Sequence, residues 1–111
     1  MLSDAKGSFQ AKVDYTRATV RLNSRVPIAL EWTEDGRTLR TDGVTLDVSL
    51  KGCMAVAPQG FPVGQRLRIV NKVNGHVCDA ILVWRGHEGR TGWELGLELQ
   101  GQVDDFWGVD F

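Results

Sequence analysis

The chain carries almost no net charge, because its 13 lysines and arginines are nearly balanced by 14 aspartates and glutamates, which gives −1 at pH 7. Proteins that bind long nucleic acids usually show a clear basic excess, so this balance argues against a nucleic-acid polymer as the partner. The sequence also lacks an apolar run of the roughly 18 residues that a membrane span needs, and no signal segment is recognisable. We therefore expect a soluble, cytoplasmic protein.

Cysteine and histidine are scarce, with two residues of each. Cys53 and Cys78 each border an apolar stretch, and we interpret both as small buried hydrophobic residues. His76 and His87 have no cysteine or carboxylate nearby at the spacing of metal ligands, so we predict no metal site. No phosphate-cradling glycine loop or nucleophile–base pattern is present either. These absences favour a binding protein over an enzyme, without a cofactor.

Glycine is plentiful by contrast, with 13 residues that fall mostly between short apolar runs. The alternation of apolar and polar residues predicts six short strands within one domain. Asp35-Gly36 predicts a hairpin turn, and Asn74-Gly75 and Gly86–Gly89 predict further turns. Pro27 favours an edge position for the first strand, and Asp42-Gly43 a break in the second. This pattern is typical of an all-β sandwich or a small closed antiparallel barrel. The strands are expected near residues 25–32, 39–48, 53–57, 67–73, 77–84 and 93–99.

Both ends of the chain depart from the strand pattern. Residues 1–20 are polar and weakly periodic, and we predict a mobile N-terminal arm there, followed by the barrel domain at 21–111. The tail from Val103 to Phe111 is aromatic, and we predict a short turn or helical turn that plugs one opening. The four tryptophans are spread over different strands. We expect them, like Gly96, to belong to the core and barrel ends rather than to a base-stacking platform.

Two short motifs carry the functional signal. Arg21-x-x-x-Arg25 supplies two forked cations just before an apolar run, and Asp47-x-Ser49-x-x-Gly52 supplies a carboxylate, a hydroxyl and a glycine at a strand end. This combination suits an anion that also carries a guanine-like edge. Either motif alone is common on protein surfaces, where arginines face solvent and Asp or Ser caps a turn. Their combination favours ligand binding.

In order and spacing, these motifs together with Gly92-Trp-Glu-Leu-Gly96 resemble the PilZ domain over about residues 21–100. The resemblance implies a six-stranded antiparallel β-barrel that binds cyclic di-GMP, a bacterial second messenger. Val20 stands where many relatives carry an arginine associated with a stacked pair of ligand molecules, which favours one molecule per site. The ligand-binding residues that the resemblance implies are Arg21, Arg25, Asp47, Ser49 and Gly52.

The chemistry of these side chains agrees with such a ligand. An arginine fork can bind the O6 and N7 acceptors of guanine or grip a phosphate with two hydrogen bonds. Asp47 can accept hydrogen bonds from the donor edge of guanine, and Ser49 can donate to a phosphate. Arg17 begins a second, overlapping Arg-x-x-x-Arg with Arg21 and remains an open candidate for a further contact.

We therefore predict a stand-alone cyclic di-GMP receptor in which the N-terminal arm becomes ordered over the barrel on binding and passes the signal to a partner protein. The alternative is a PilZ-like protein-interaction module that binds no ligand. A small barrel for single-stranded nucleic acid would need a basic groove with exposed aromatic residues, and the net charge disfavours it.

Overall fold

A computed structural model of the chain describes residues 20–101, 105–109 and 111. Seven β-strands and no helix are found among these residues, so this part of the chain contains no helix long and apolar enough to cross a membrane. In chain order the strands are β1 (Arg21–Leu22), β2 (Pro27–Glu34), β3 (Arg37–Ser49), β4 (Gly52–Ala57), β5 (Arg66–Asn71), β6 (Val77–Gly89) and β7 (Gly92–Leu99).

Strands β2 to β7 close into a six-stranded antiparallel barrel, which confirms the predicted fold. The hydrogen-bonded order is β3–β2–β5–β6–β7–β4, and β4 pairs with β3 to complete the ring. Strand β3 pairs with β2 along its first part and with β4 along its last part. The short β1, which the sequence pattern did not reveal, adds to the end of β3 with Arg21 opposite Ser49.

The tight turns follow the glycine signals of the sequence. Asp35 and Gly36 have φ angles of 51° and 75°, so both central residues of the β2–β3 hairpin have the positive φ that its two-residue turn requires. At the predicted Asn74-Gly75 turn, Gly75 has a φ of 81° and its N–H donates to the Asn71 carbonyl at 2.7 Å. Glycine adopts such angles without a steric penalty.

Two other glycine signals were misinterpreted. Strand β3 continues through Asp42-Gly43, and β6 continues through Gly86–Gly89, where a break and a turn were predicted. A Cβ atom at Gly43 would lie 2.9 Å from the Val56 carbonyl oxygen, and one at Gly86 would lie 2.5 Å from the Trp84 ring. Close packing against neighbours, rather than chain reversal, explains these glycines.

The prediction that Pro27 marks an edge strand is also wrong. Strand β2 pairs with β3 on one side and with β5 on the other. Pro27 is its first residue, and pairing with β5 starts only at Ile28. At the first position of a strand, the missing proline N–H removes little from the hydrogen-bond ladder.

Side chains from all six barrel strands fill the interior, which forms one continuous hydrophobic core. Cys53 and Cys78 are both free and buried, as the sequence predicted. Burial of this apolar surface is the main force that stabilises the barrel. The largest fully buried apolar side chains are Ile28, Leu30, Ile69, Leu82, Leu95 and Val48.

The described tail residues Asp105–Val109 form turns and bends rather than a helix. Phe106 and Trp107 are buried in the core cluster. The Trp107 Nε1–H donates to the Ser49 carbonyl at 2.9 Å, and the buried Asn71 amide donates to the Phe106 carbonyl at 2.9 Å. The tail is thereby held against the barrel at the end of β3. The predicted N-terminal arm, apart from Val20, lies outside the described residues.

Candidate ligand-binding site

Strand β1 positions Arg21 beside the second motif. Because Arg21 pairs with Ser49 across the β1–β3 ladder, its side chain emerges next to the last residues of β3. The Arg21 Nη1 atom donates to the Asp47 Oδ1 atom at 2.8 Å. The arginine side chain is 56% exposed and the aspartate side chain 23%, so this ion pair is partly solvated and contributes little to stability. The guanidinium group therefore remains accessible to a ligand.

A β-bulge in β3 turns Asp47 to the outside of the barrel. Thr45 pairs with the buried Ala55, but the register shifts at the next position, and Asp47 pairs with the half-buried Met54. Without the extra residue, Thr45 and Asp47 would face the same side of the sheet. Asp47 Oδ1 also accepts a hydrogen bond from the Met54 N–H at 3.3 Å. One carboxylate oxygen thus holds both Arg21 and the edge of β4.

Ser49 has a local role as well as a place in the motif. Its Oγ atom accepts a hydrogen bond from the Lys51 N–H at 3.3 Å and lies 3.5 Å from the Gly52 carbonyl oxygen. These contacts tie the two-residue turn between β3 and β4, as serine commonly does in turns. The Ser49 side chain also borders the cavity described below.

Gly52 is required by packing between β4 and β7. A Cβ atom there would lie 1.9 Å from the Leu97 carbonyl oxygen, far inside van der Waals contact. Gly52 has no positive φ, so the requirement for glycine comes from this close backbone approach and not from an unusual conformation.

An open cavity of about 340 Å³ lies against these residues on the outer face of the barrel. Its walls combine Arg21 and Ser49 with groups from β4, β6 and β7. This volume lies at the lower end of the range for small-molecule sites. The complete lining is Arg21, Ser49, Lys51, Gly52, Cys53, Met54, Val83, Trp84, Gly96, Leu97 and Glu98.

The order of the strands explains the shape of this cavity. Cross-strand pairing places Asp47, Met54, Gly96 and Trp84 in one row across β3, β4, β7 and β6. Gly96 carries no side chain, so Met54 supplies the side chain of the floor between the Arg21–Asp47 pair on one side and the Trp84 indole on the other. With neighbouring strands about 4.8 Å apart, the ends of this row lie about 14 Å apart along the sheet. A flat ring system with attached anionic groups fits such a trough.

The exposure of Trp84 contradicts the prediction that it packs in the core. Its side chain is 46% exposed and lines the cavity. Leu82 pairs with Leu97 inside the barrel, but a register shift follows, and Trp84 pairs with Gly96 on the outside. The bulge is therefore what turns the indole outwards, and no glycine or proline marks it in the sequence. Gly96 was likewise expected to be purely a core residue, yet it forms part of the cavity floor.

The structure does not bring Arg25 into the same cavity as Arg21. Arg25 lines a second cavity of about 360 Å³, which it shares with Asp42 and Thr91. The fully buried Thr45 fixes the backbone on which Arg25 lies. Its hydroxyl accepts a hydrogen bond from the Val26 N–H at 2.8 Å and donates one to the Ser24 carbonyl. The backbone on both sides of Arg25 is thereby held against β3. Arg17 lies outside the described residues.

Three polar or aromatic residues of the cavity were missed by the sequence analysis: Lys51, Trp84 and Glu98. Lys51 lies inside the Asp47–Gly52 motif, so its proximity to the site could have been inferred from the spacing. Glu98 reaches the cavity because β7 pairs Glu98 with Gly52. This register pairs residues that are distant in the sequence, so no local sequence pattern predicts it.

Cys53 lies below the cavity and carries no reactive thiolate. Burial raises the pKa of the Cys53 thiol well above its ordinary value, the negative charge of Asp47 raises it further, and Arg21 opposes them. A neutral thiol is a poor nucleophile. No group of three or more His, Cys, Asp or Glu residues in the described ranges is arranged to hold a metal ion. The arrangement can bind an anion and a flat ring through charge, hydrogen bonds and stacking.

Comparison with known proteins gives one match. The family model of the PilZ domain matches residues 15–105, a span that contains both motifs and all seven strands. A search of the curated proteins found no significant match, and a search of the solved structures found none.

Proposed function

Because this chain belongs to the PilZ domain family, we propose that it binds cyclic di-GMP in the cavity beside Arg21 and transmits the signal to a partner protein. The observation that carries this proposal is the cavity itself, in which Arg21 and Ser49 lie on one side and the exposed Trp84 on the other, with Met54 and Gly96 between them. The family is one of ligand-binding and adaptor domains rather than enzymes.

The cavity lining matches the two kinds of group that the dinucleotide presents. Arg21 and Lys51 offer positive charge for the phosphates, and the arginine fork also fits the guanine O6 and N7 acceptors. The exposed Trp84 ring offers a surface on which a purine stacks. Ser49 donates its hydroxyl to a phosphate oxygen or a ring acceptor in this arrangement.

Arg25 and Asp47 complete the proposed site from its margins. Asp47 orients Arg21 through its Oδ1 atom, and we propose that its second oxygen accepts a hydrogen bond from the ligand. Arg25 lines a separate cavity, and we propose it as a further contact because its motif places it only four positions after Arg21 in the sequence. Arg17 remains a candidate for an additional contact. We further propose one ligand molecule per site, in line with the valine at position 20.

Calorimetric titration of the protein with cyclic di-GMP tests this function. We expect saturable binding at one molecule per protein, and about five- to hundredfold weaker binding by Trp84→Leu, because stacking of a base on an aromatic ring contributes about 1–3 kcal/mol. Thermal melts of both proteins should show that the variant remains folded, since Trp84 is 46% exposed. Absence of binding by the wild type would reject the proposal and favour the ligand-free protein-interaction module.

We also propose that ligand binding orders residues 1–20 over the barrel and creates the surface that the partner recognises. The binding arginine Arg21 directly follows this segment, so a ligand held by Arg21 lies within reach of it. Hydrogen exchange followed by mass spectrometry is expected to slow in peptides from residues 1–20 at saturating cyclic di-GMP. Equal exchange with and without the ligand would contradict arm ordering while leaving the binding proposal intact.

A further inference from the structure

Glu98 introduces a negative charge into a cavity otherwise suited to an anion. It lies on β7, directly opposite Gly52 of β4 and Ile81 of β6. Its side chain is exposed and lines the same cavity as Arg21, Lys51 and Trp84. A carboxylate near two phosphates is repulsive, so its presence in the lining calls for a compensating interaction with hydrogen-bond donors of the ligand.

The two carboxylates near the cavity differ in how far they are already engaged. Asp47 Oδ1 accepts hydrogen bonds from Arg21 at 2.8 Å and from the Met54 N–H at 3.3 Å. Among the described residues, the Glu98 carboxylate accepts one hydrogen bond, from the side chain of the half-buried Gln100 at 3.3 Å. Glu98 therefore has acceptor capacity and lies in the cavity lining, whereas Asp47 lies outside that lining and has one oxygen engaged by two protein donors.

We infer that Glu98 recognises the donor edge of the guanine that stacks on Trp84 and makes the site selective for guanine over adenine. This inference rests on the proposed function. The guanine N1–H and N2–H₂ groups are adjacent donors, and an ionised carboxylate has two acceptor oxygens to meet them. Adenine offers an acceptor at N1 and no amino group at C2, so the same carboxylate would face a lone pair. Glu98 and Trp84 line the same open cavity of about 340 Å³, in which a base can contact both side chains.

The test compares cyclic di-GMP with cyclic di-AMP, which has the same ring and the same two phosphates. Wild-type protein is expected to prefer cyclic di-GMP, and Glu98→Gln is expected to reduce that preference by about five- to 150-fold, the range for loss of a two-bond contact to a base. The glutamine amide carries one donor and one acceptor, so it matches adenine better than it matches the guanine donor edge. The preference should therefore fall partly because the affinity for cyclic di-AMP increases.

Glu88→Gln is the matched control. Glu88 lies on the neighbouring strand β6 and is exposed, it undergoes the same change of charge, and it is not part of the cavity lining. A general electrostatic effect on a doubly charged ligand would change the affinity for both dinucleotides equally and would appear in both variants. Only a direct contact with the base changes their ratio in Glu98→Gln alone.

The outcomes separate this inference from the proposed function. If wild type binds cyclic di-GMP selectively and Glu98→Gln keeps the same selectivity, the role of Glu98 is wrong and the function stands. If wild type binds both dinucleotides equally, selectivity by Glu98 is likewise wrong. If wild type binds neither of them, the proposed function fails and this inference fails with it.

Discussion

Replacing Arg21 by alanine is expected to weaken cyclic di-GMP binding by about ten- to more than a hundredfold. Charge-assisted hydrogen bonds contribute about 1.5–3 kcal/mol each, and Arg21 is the arginine that borders the cavity. Arg21→Lys should recover only part of the affinity, because lysine keeps the charge but has no planar fork. The Arg21–Asp47 pair is solvent-exposed, so neither substitution should change the melting temperature by more than a few degrees.

Arg37→Ala provides the matched control for the loss of one positive charge. Arg37 starts β3 beside the β2–β3 turn, and it lines neither the cavity of Arg21 nor that of Arg25. Arg25→Ala is expected to weaken binding as well, if Arg25 reaches the ligand as proposed. If the affinity of Arg21→Ala for cyclic di-GMP lies within about threefold of that of Arg37→Ala, Arg21 does not contact the ligand.

Replacing Gly52 by alanine is expected to cause the largest loss of stability among the site substitutions. The added methyl group would overlap the Leu97 carbonyl oxygen at 1.9 Å, and backbone cannot rotate away as a side chain can. The β4–β7 ladder must therefore separate at its end, where Gly52 pairs with Glu98. Forced overpacking costs about 1–3 kcal/mol and sometimes more, which corresponds to a melting temperature lower by about 5–20 °C for a domain of this size.

Gly89→Ala is the control that measures the loss of stability from the same substitution without a steric clash. Gly89 lies at the end of β6, and a Cβ atom there would meet only the Gly92 carbonyl oxygen at 3.8 Å, an ordinary contact. Thermal unfolding followed by circular dichroism should place Gly89→Ala within a few degrees of wild type. A Gly52→Ala protein that melts at the wild-type temperature would show that β4 and β7 are not packed as described.

The strands of the barrel were largely predictable because their signals are local, whereas the choice of a barrel over a sandwich came from the resemblance to the PilZ domain. Alternation of apolar and polar residues defines a strand over a few residues, and Asp35-Gly36 closes a hairpin through its own backbone preferences. Glycine was the ambiguous signal. Gly75 supplies a positive φ in a turn, whereas Gly43 and Gly86 lie within strands and make room for Val56 and Trp84. Only the residues that surround a glycine in the folded structure distinguish a turn glycine from one that makes room within a strand.

The sequence by itself determined that this chain is all-β with short antiparallel strands, its resemblance to the PilZ domain implied the barrel, and its motifs identified the residues proposed to bind the ligand. The tertiary structure alone decided how a cavity forms around them. Bulges turn Asp47 and Trp84 outwards, and strand register sets Glu98 beside Gly52. Thr45 holds the backbone around Arg25 so that this side chain lines a different cavity from Arg21. These features depend on pairing between segments distant in the chain, and a one-residue change of register reverses the face on which a side chain lies.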